Sequence, residues 1–121
     1  MAEDGADDEA TSTRHQAVLE AYRGRLDSAR SLLATARTTV EDLGLRRDLM
    51  EVDLFAGLVE SLAGDPVAAE GHLRTAHDGL ADMGVGSDAA LAAAQLARSL
   101  LDQGRTDEAE ALAAAAAASA G

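Results

Sequence analysis

Cysteine, lysine, isoleucine, asparagine and tryptophan are all missing from this chain of 121 residues, which has one proline, one tyrosine and one phenylalanine. Each gap excludes something. Without cysteine there is no disulfide framework, no thiolate zinc site and no cysteine nucleophile. With two aromatic rings there is no large ring-filled core, and 29 of the residues are alanine. Alanine buries little area, so each helix contact contributes modestly at roughly 25 cal/mol per Å². Closely spaced helices with thin interfaces are the expectation. Lysine, isoleucine and asparagine share AT-rich codons; their joint absence beside abundant Ala, Arg, Gly and Asp points to a GC-rich bacterial genome. No apolar run reaches transmembrane length. The acidic start (Glu3, Asp4, Asp7, Asp8, Glu9) is the opposite of a signal peptide. A cytoplasmic protein with no membrane association is therefore expected. A net charge of −12 repels phosphate backbones and argues against a nucleic-acid partner.

What is present is a ruler. Gly24, Gly44, Gly64, Gly84 and Gly104 each follow the last by 20 residues. The stretches between them are rich in the helix formers Ala, Leu, Arg and Glu, and none alternates with period two, so no strand is expected. A fixed period is the mark of repeat architecture. Here the unit is 40 residues: a helix, a glycine turn, a second helix and another glycine turn.

Residues 1–12 are acidic, small and aperiodic, and read as a disordered tail. The domain is expected over 13–121, its first helix starting near the caps Ser12 or Thr13. The second helix, about Leu26 to Leu43, carries an apolar stripe at Leu26, Ala29, Leu32, Leu33, Ala36, Val40 and Leu43. The third runs from about Arg46 to Ala63. Gly64-Asp65-Pro66 is the sharpest boundary, with Asp65 able to cap and Pro66 suited to the first helical position. The fourth helix is expected at about Pro66 to Met83, weakened by Gly71 and Gly79. The fifth is expected at about Asp88 to Gln103 behind a Ser87 cap, and the sixth from Thr106 onward.

Aligned at 40 residues, the copies read Gly24-Arg25-Leu26-Asp27-Ser28-Ala29, Gly64-Asp65-Pro66-Val67-Ala68-Ala69 and Gly104-Arg105-Thr106-Asp107-Glu108-Ala109. Small residues recur at Ala17, Gly57 and Ala97, and alanines at Ala36, Ala76 and Ala116; Leu33 and Leu73 give way to Ala113 in the last copy. This pattern resembles the tetratricopeptide (TPR) core over about residues 13–119, and looks like the degenerate TPR arrays of large bacterial signalling and regulatory proteins. Thr13, Asp53 and Ala93 replace the family's early aromatic, and the repeat is longer than the usual TPR unit. The resemblance implies an all-α solenoid of three helix-turn-helix hairpins, six antiparallel helices with a concave face. In that family the first helix of each repeat lines the groove. The matching positions are Arg14, Val18, Ala21 and Tyr22, then Glu51, Leu54, Leu58 and Ser61, then Leu91, Ala94, Arg98 and Leu101.

No catalytic constellation is expected. His72 and His77 are five residues apart and do not share a helix face, so no metal is expected. Acid pairs such as Glu41-Asp42 point apart on a helix, and Gly84-Val85-Gly86 lacks a preceding strand and a phosphate-binding lysine. No cofactor is implied. The functional expectation is a non-catalytic protein-binding or scaffolding module taking a peptide or one helix. The alternative is a spacer or sensor module packing on neighbouring domains of a larger signalling or transcription-regulatory protein. The last helix is almost all alanine from Ala111 to Ala120 and has no polar face. Either it frays, or it meets another repeat, chain or domain; a weak homodimer through it is the association expected.

Overall fold

The computed structural model describes residues 2–120, and the side chains of residues 9–118. It is all-helical, with no strand among the described residues. The order is α1 (Ala2–Tyr22), α2 (Leu26–Asp42), α3 (Arg46–Leu62), α4 (Pro66–Asp82), α5 (Gly86–Asp102) and α6 (Thr106–Ala120). No helix among the described residues is long and apolar enough to cross a membrane.

The five connections are one structure used five times. All five ruler glycines have left-handed φ, from +68° at Gly44 to +80° at Gly24. At the second turn the Leu45 N–H donates to the Val40 carbonyl at 3.0 Å and the Gly44 N–H to the Glu41 carbonyl at 3.1 Å. This is the Schellman arrangement, which satisfies carbonyls left open at a helix end. The same two bonds recur at Gly24, Gly64, Gly84 and Gly104. The residue after each glycine is at once the end of the turn and the N-cap of the next helix. The carbonyls of Arg25, Leu45, Asp65, Val85 and Arg105 accept from the N–H groups of Ala29, Leu49, Ala69, Ala89 and Ala109. A 17-residue helix and a three-residue turn thus give the 20-residue step. Asp65 is the one of these with a side-chain cap, accepting from the Ala68 N–H at 3.1 Å, with Pro66 in the first turn.

A Cβ added at any ruler glycine would meet nothing within 4 Å, so the demand there is purely conformational. Gly64→Ala should therefore cost about 1–2 kcal/mol, the penalty of the left-handed region for an L-residue. Gly71 is helical and also faces open space. Gly71→Ala should stabilise by about 0.5–1 kcal/mol. Thermal denaturation of the two variants side by side checks both signs.

α3 is central and touches α1, α2, α4 and α5. The inner stripe of α2 (Ala29, Leu33, Ala36, Val40) recurs 40 residues later in α4 (Ala69, Leu73, Ala76, Leu80), and all eight are buried. α6 keeps Ala109 buried, but Leu112 and Ala116 are half-buried and Ala113 is exposed. α6 therefore packs more thinly than α2 and α4. α3 and α4 crowd each other at Gly57, where a Cβ would overlap Leu73 Cγ and lie 2.6 Å from its Cδ2. Gly79, expected only to weaken its helix, leaves room for Met50; a Cβ there would overlap the Met50 sulfur.

Two boundaries differ from expectation. α1 begins at Ala2, and no break falls at residue 12. Thr13 lies inside the helix, its hydroxyl donating to the Glu9 carbonyl at 2.7 Å. Ala10 is buried against Ala36, Val40 and Val52, so helix packing already begins before residue 12. Met1 and the side chains of 2–8 lie outside the described residues. α5 starts at Gly86 behind Val85, with no side-chain cap from Ser87, because the repeated turn geometry already sets the start two residues before the expected Asp88.

Candidate functional site

Charged groups gather along α3, which packs on α1 and on α5. Arg14 on α1 is 6% exposed. Its Nη1 lies 3.6 Å from Asp48 Oδ1 on α3, and its guanidinium carbon 5.6 Å from the centre of the Phe55 ring. The His15 imidazole meets that ring edge-on at 5.1 Å. Arg14 Nε and Nη1 have no hydrogen-bond acceptor, so Coulomb attraction to Asp48 and the ring face hold the guanidinium. Further along, Glu51 on α3 faces Asp88 on α5. Burial, the hydrogen bond to Asp88 and the Asp88 charge push the Glu51 carboxyl up to about 7, against Arg14 and Arg47. The bond from Glu51, joined by Arg47 at 3.2 Å, holds Asp88 below its ordinary value. The raised Glu51 keeps its proton and the lowered Asp88 stays charged, so the pair shares one proton between α3 and α5.

The residues expected to line a concave groove divide among several environments. Arg14 and Glu51 come together in this cluster. Leu54 is 1% exposed and belongs to the core with Leu73, Leu96 and Leu100. Leu54 and Arg14 are thus interior in this chain, where α3 packs on α1 and on α5. Val18 and Leu58 are half-buried. Tyr22 is 72% exposed at the end of α1, remote in sequence and element from α5. On α5, Leu91 and Leu101 are about half exposed, and Arg98 and Ala94 are exposed beside them on one face. Arg98 is the one arginine among the described residues with no carboxylate partner; Arg14, Arg23, Arg25, Arg30, Arg37, Arg46, Arg47, Arg74 and Arg105 all have one.

Two polar nodes tie helices together and were not anticipated. Asp53 on α3 is buried and accepts from Arg37 of α2 at 2.7 Å, with His72 Nδ1 of α4 3.2 Å away. Burial pushes its carboxyl up, but His72 and Arg37 outweigh that and hold it below its ordinary value. The sequence signal was an acid in an apolar slot, where the other copies carry Thr13 and Ala93. Glu70 on α4 accepts from Arg74 at 2.9 Å, Gln103 at 3.0 Å and Arg105 at 2.6 Å. The Arg74 and Gln103 bonds, then Arg105, hold it down at about 2. It fastens the α5–α6 turn to α4. No group of three or more His, Cys, Asp or Glu among the described residues is placed to hold a metal ion.

An open groove of about 640 Å³ lies between the end of α4, the start of α5 and the second half of α6. Its walls are Ala81, Ala89, Ala90 and Ala93, with Leu112, Ala115 and Ala116 from α6. His77 and Ser87 are the polar side chains that reach it. Forty residues earlier, Ala89, Ala90 and Ala93 correspond to Leu49, Met50 and Asp53. There Met50 packs over Gly79, and Asp53 holds Arg37 and His72. Where the sequence forty residues earlier has three large side chains, the groove wall has three methyl groups.

Compared with known proteins, the chain matches no family model, no curated protein and no solved structure.

Proposed function

We propose that the chain is a non-catalytic interaction module built of three TPR-like helical hairpins, stacked as a short solenoid that binds a protein or peptide partner. The 40-residue period and the five superposable turns support the repeat. The observation that carries the binding role is the bare face of α5: Leu91, Ala94, Arg98 and Leu101, at i, i+3, i+7 and i+10. In α3 the matching residues are Glu51, Leu54, Leu58 and Ser61; Leu54 is buried and Glu51 engages α5. On α5 the same register leaves two leucines and an unpaired guanidinium without a covering helix. A helical segment with apolar i, i+3, i+7 anchors and an acid for Arg98 is the partner that suits it. Leu91→Ser with Leu101→Ser should abolish recovery of a partner that the native chain captures from its host, while helicity stays unchanged. Equal recovery by native and variant chains would move the site elsewhere.

A second reading is favoured by α6, where Ala113, Ala114, Ala117 and Ala118 are exposed with no polar face. A terminal repeat ordinarily carries one. In a spacer or sensor of a larger signalling protein, a neighbouring domain covers that alanine surface; a second copy does so in a weak homodimer. The net charge of −12 opposes the homodimer, so it should strengthen with salt. Sedimentation at low and high salt tests this: a monomer in both conditions removes self-association.

A further inference from the structure

The groove between α4, α5 and α6 has a shape whose missing contents the preceding copy displays. At the matching place α3 puts two unbranched or γ-branched aliphatic chains, Leu49 and Met50, and the Met50 thioether lies along α4 at Gly79. In α5 these positions are Ala89 and Ala90, and the wall opposite is Leu112. The volume, about 640 Å³, falls within the range of small-ligand sites, which are mostly apolar with a few polar groups at one end. That polar end is defined by His77 and Ser87. Asp78 and Asp82 follow His77 and Ala81 in the chain, and both are largely exposed. Asp82 is matched by Arg46, but no arginine pairs with Asp78, which has His77 Nδ1 at 3.0 Å. Asp78 thus brings a carboxylate beside His77 at this end of the groove.

We propose that this groove binds a single straight aliphatic chain bearing a cationic head group. The chain takes the place that Leu49 and Met50 occupy one repeat earlier, and the head group sits at the His77–Asp78 end. A carboxylate head would meet Asp78 and is disfavoured. This assignment does not depend on the partner-binding role of α5.

n-Alkylammonium ions from hexyl to decyl, below their micelle concentrations, are the probes, read by NMR shifts of the Ala89, Ala90, Ala93 and Leu112 methyl groups of the full chain. Saturable binding is expected, tightening about fourfold per added CH2 until the groove is full. The matching n-alkanols should bind more weakly and the n-alkanoates weakest. Ala90→Met rebuilds the side chain of the preceding copy; it should abolish binding and raise the melting midpoint by filling the void. Ala89→Leu, with circular dichroism to verify folding, provides an independent plug. Absence of saturable shifts with decylammonium overturns the proposal. So does unchanged affinity in folded Ala90→Met and Ala89→Leu variants, or tighter binding of the alkanoates than of the ammonium series.

Discussion

Leu73→Ala should destabilise the chain by about 2–5 kcal/mol, the range for emptying a buried leucine site. Leu73 is fully buried at the centre of the largest apolar cluster and lies against the Gly57 backbone. Gly57→Ala alone should also destabilise, by about 1–3 kcal/mol from overpacking, less a gain of roughly 1 kcal/mol in helix propensity. The two changes should not add. Once Leu73 is truncated, the atoms that a Cβ at residue 57 would overlap are gone, and Gly57→Ala should become stabilising. Gly79→Ala should be near neutral, because the group it displaces is a flexible methionine rather than a branched leucine. Denaturant titration of the two single variants and the double variant measures the coupling. Simple additivity would mean that α3 and α4 do not meet at this register.

Stability should fall as pH rises from about 4.5 to about 7, and Glu51→Gln should remove that fall. In the folded chain Glu51 keeps its proton up to about pH 7, whereas its ordinary value is 4.5. Between those values the folded state binds more protons than the unfolded state, so the stabilisation is complete below 4.5 and lost as pH passes 7. Asp88 works in the opposite sense at lower pH: its folded value is depressed from 3.8, so its contribution is present above that and lost on acidification. A shift of this size corresponds to about 3 kcal/mol for an isolated buried group. Solvent screening at a half-buried site and the opposing shift of Asp88 reduce the expected change to about 1–2 kcal/mol. Glutamine retains an N–H donor for Asp88 without titrating. The variant should therefore be the more stable chain at pH 8 and show a flat profile from pH 5 to 7.5. Parallel slopes for native and variant chains would show that the pair does not share a proton.

These expectations rest on features of different legibility. Ruler glycines, helix ends and the Asp65-Pro66 start could be read from the residues, because each is decided within six residues of backbone. A left-handed φ closes the Schellman bonds, and glycine is the residue that adopts it at no steric cost. The inner stripes of α2 and α4 were legible for the same reason: 3.6-residue periodicity sorts side chains by face before any partner is present.

Burial on the odd helices was a different matter. Arg14 and Leu54 matched a surface pattern, yet α3 lies between α1 and α5, so a face that would be open on an isolated hairpin is covered. Ala10 docks on residues 26 to 42 positions away, inside the stretch expected to be a tail, and local propensity carries no record of that contact. The Asp53 node joins residues 16 and 19 positions apart on neighbouring helices. The groove was half legible: the loss of Leu49, Met50 and Asp53 to alanine stands in the aligned copies, but whether α6 would close over the space was not. The sequence by itself determined where the chain turns at the five glycines, since that depends on short-range backbone bonding. Only the tertiary structure decided which charges pair, which glycines are crowded and where space is left, since those depend on what another helix brings to the opposite side.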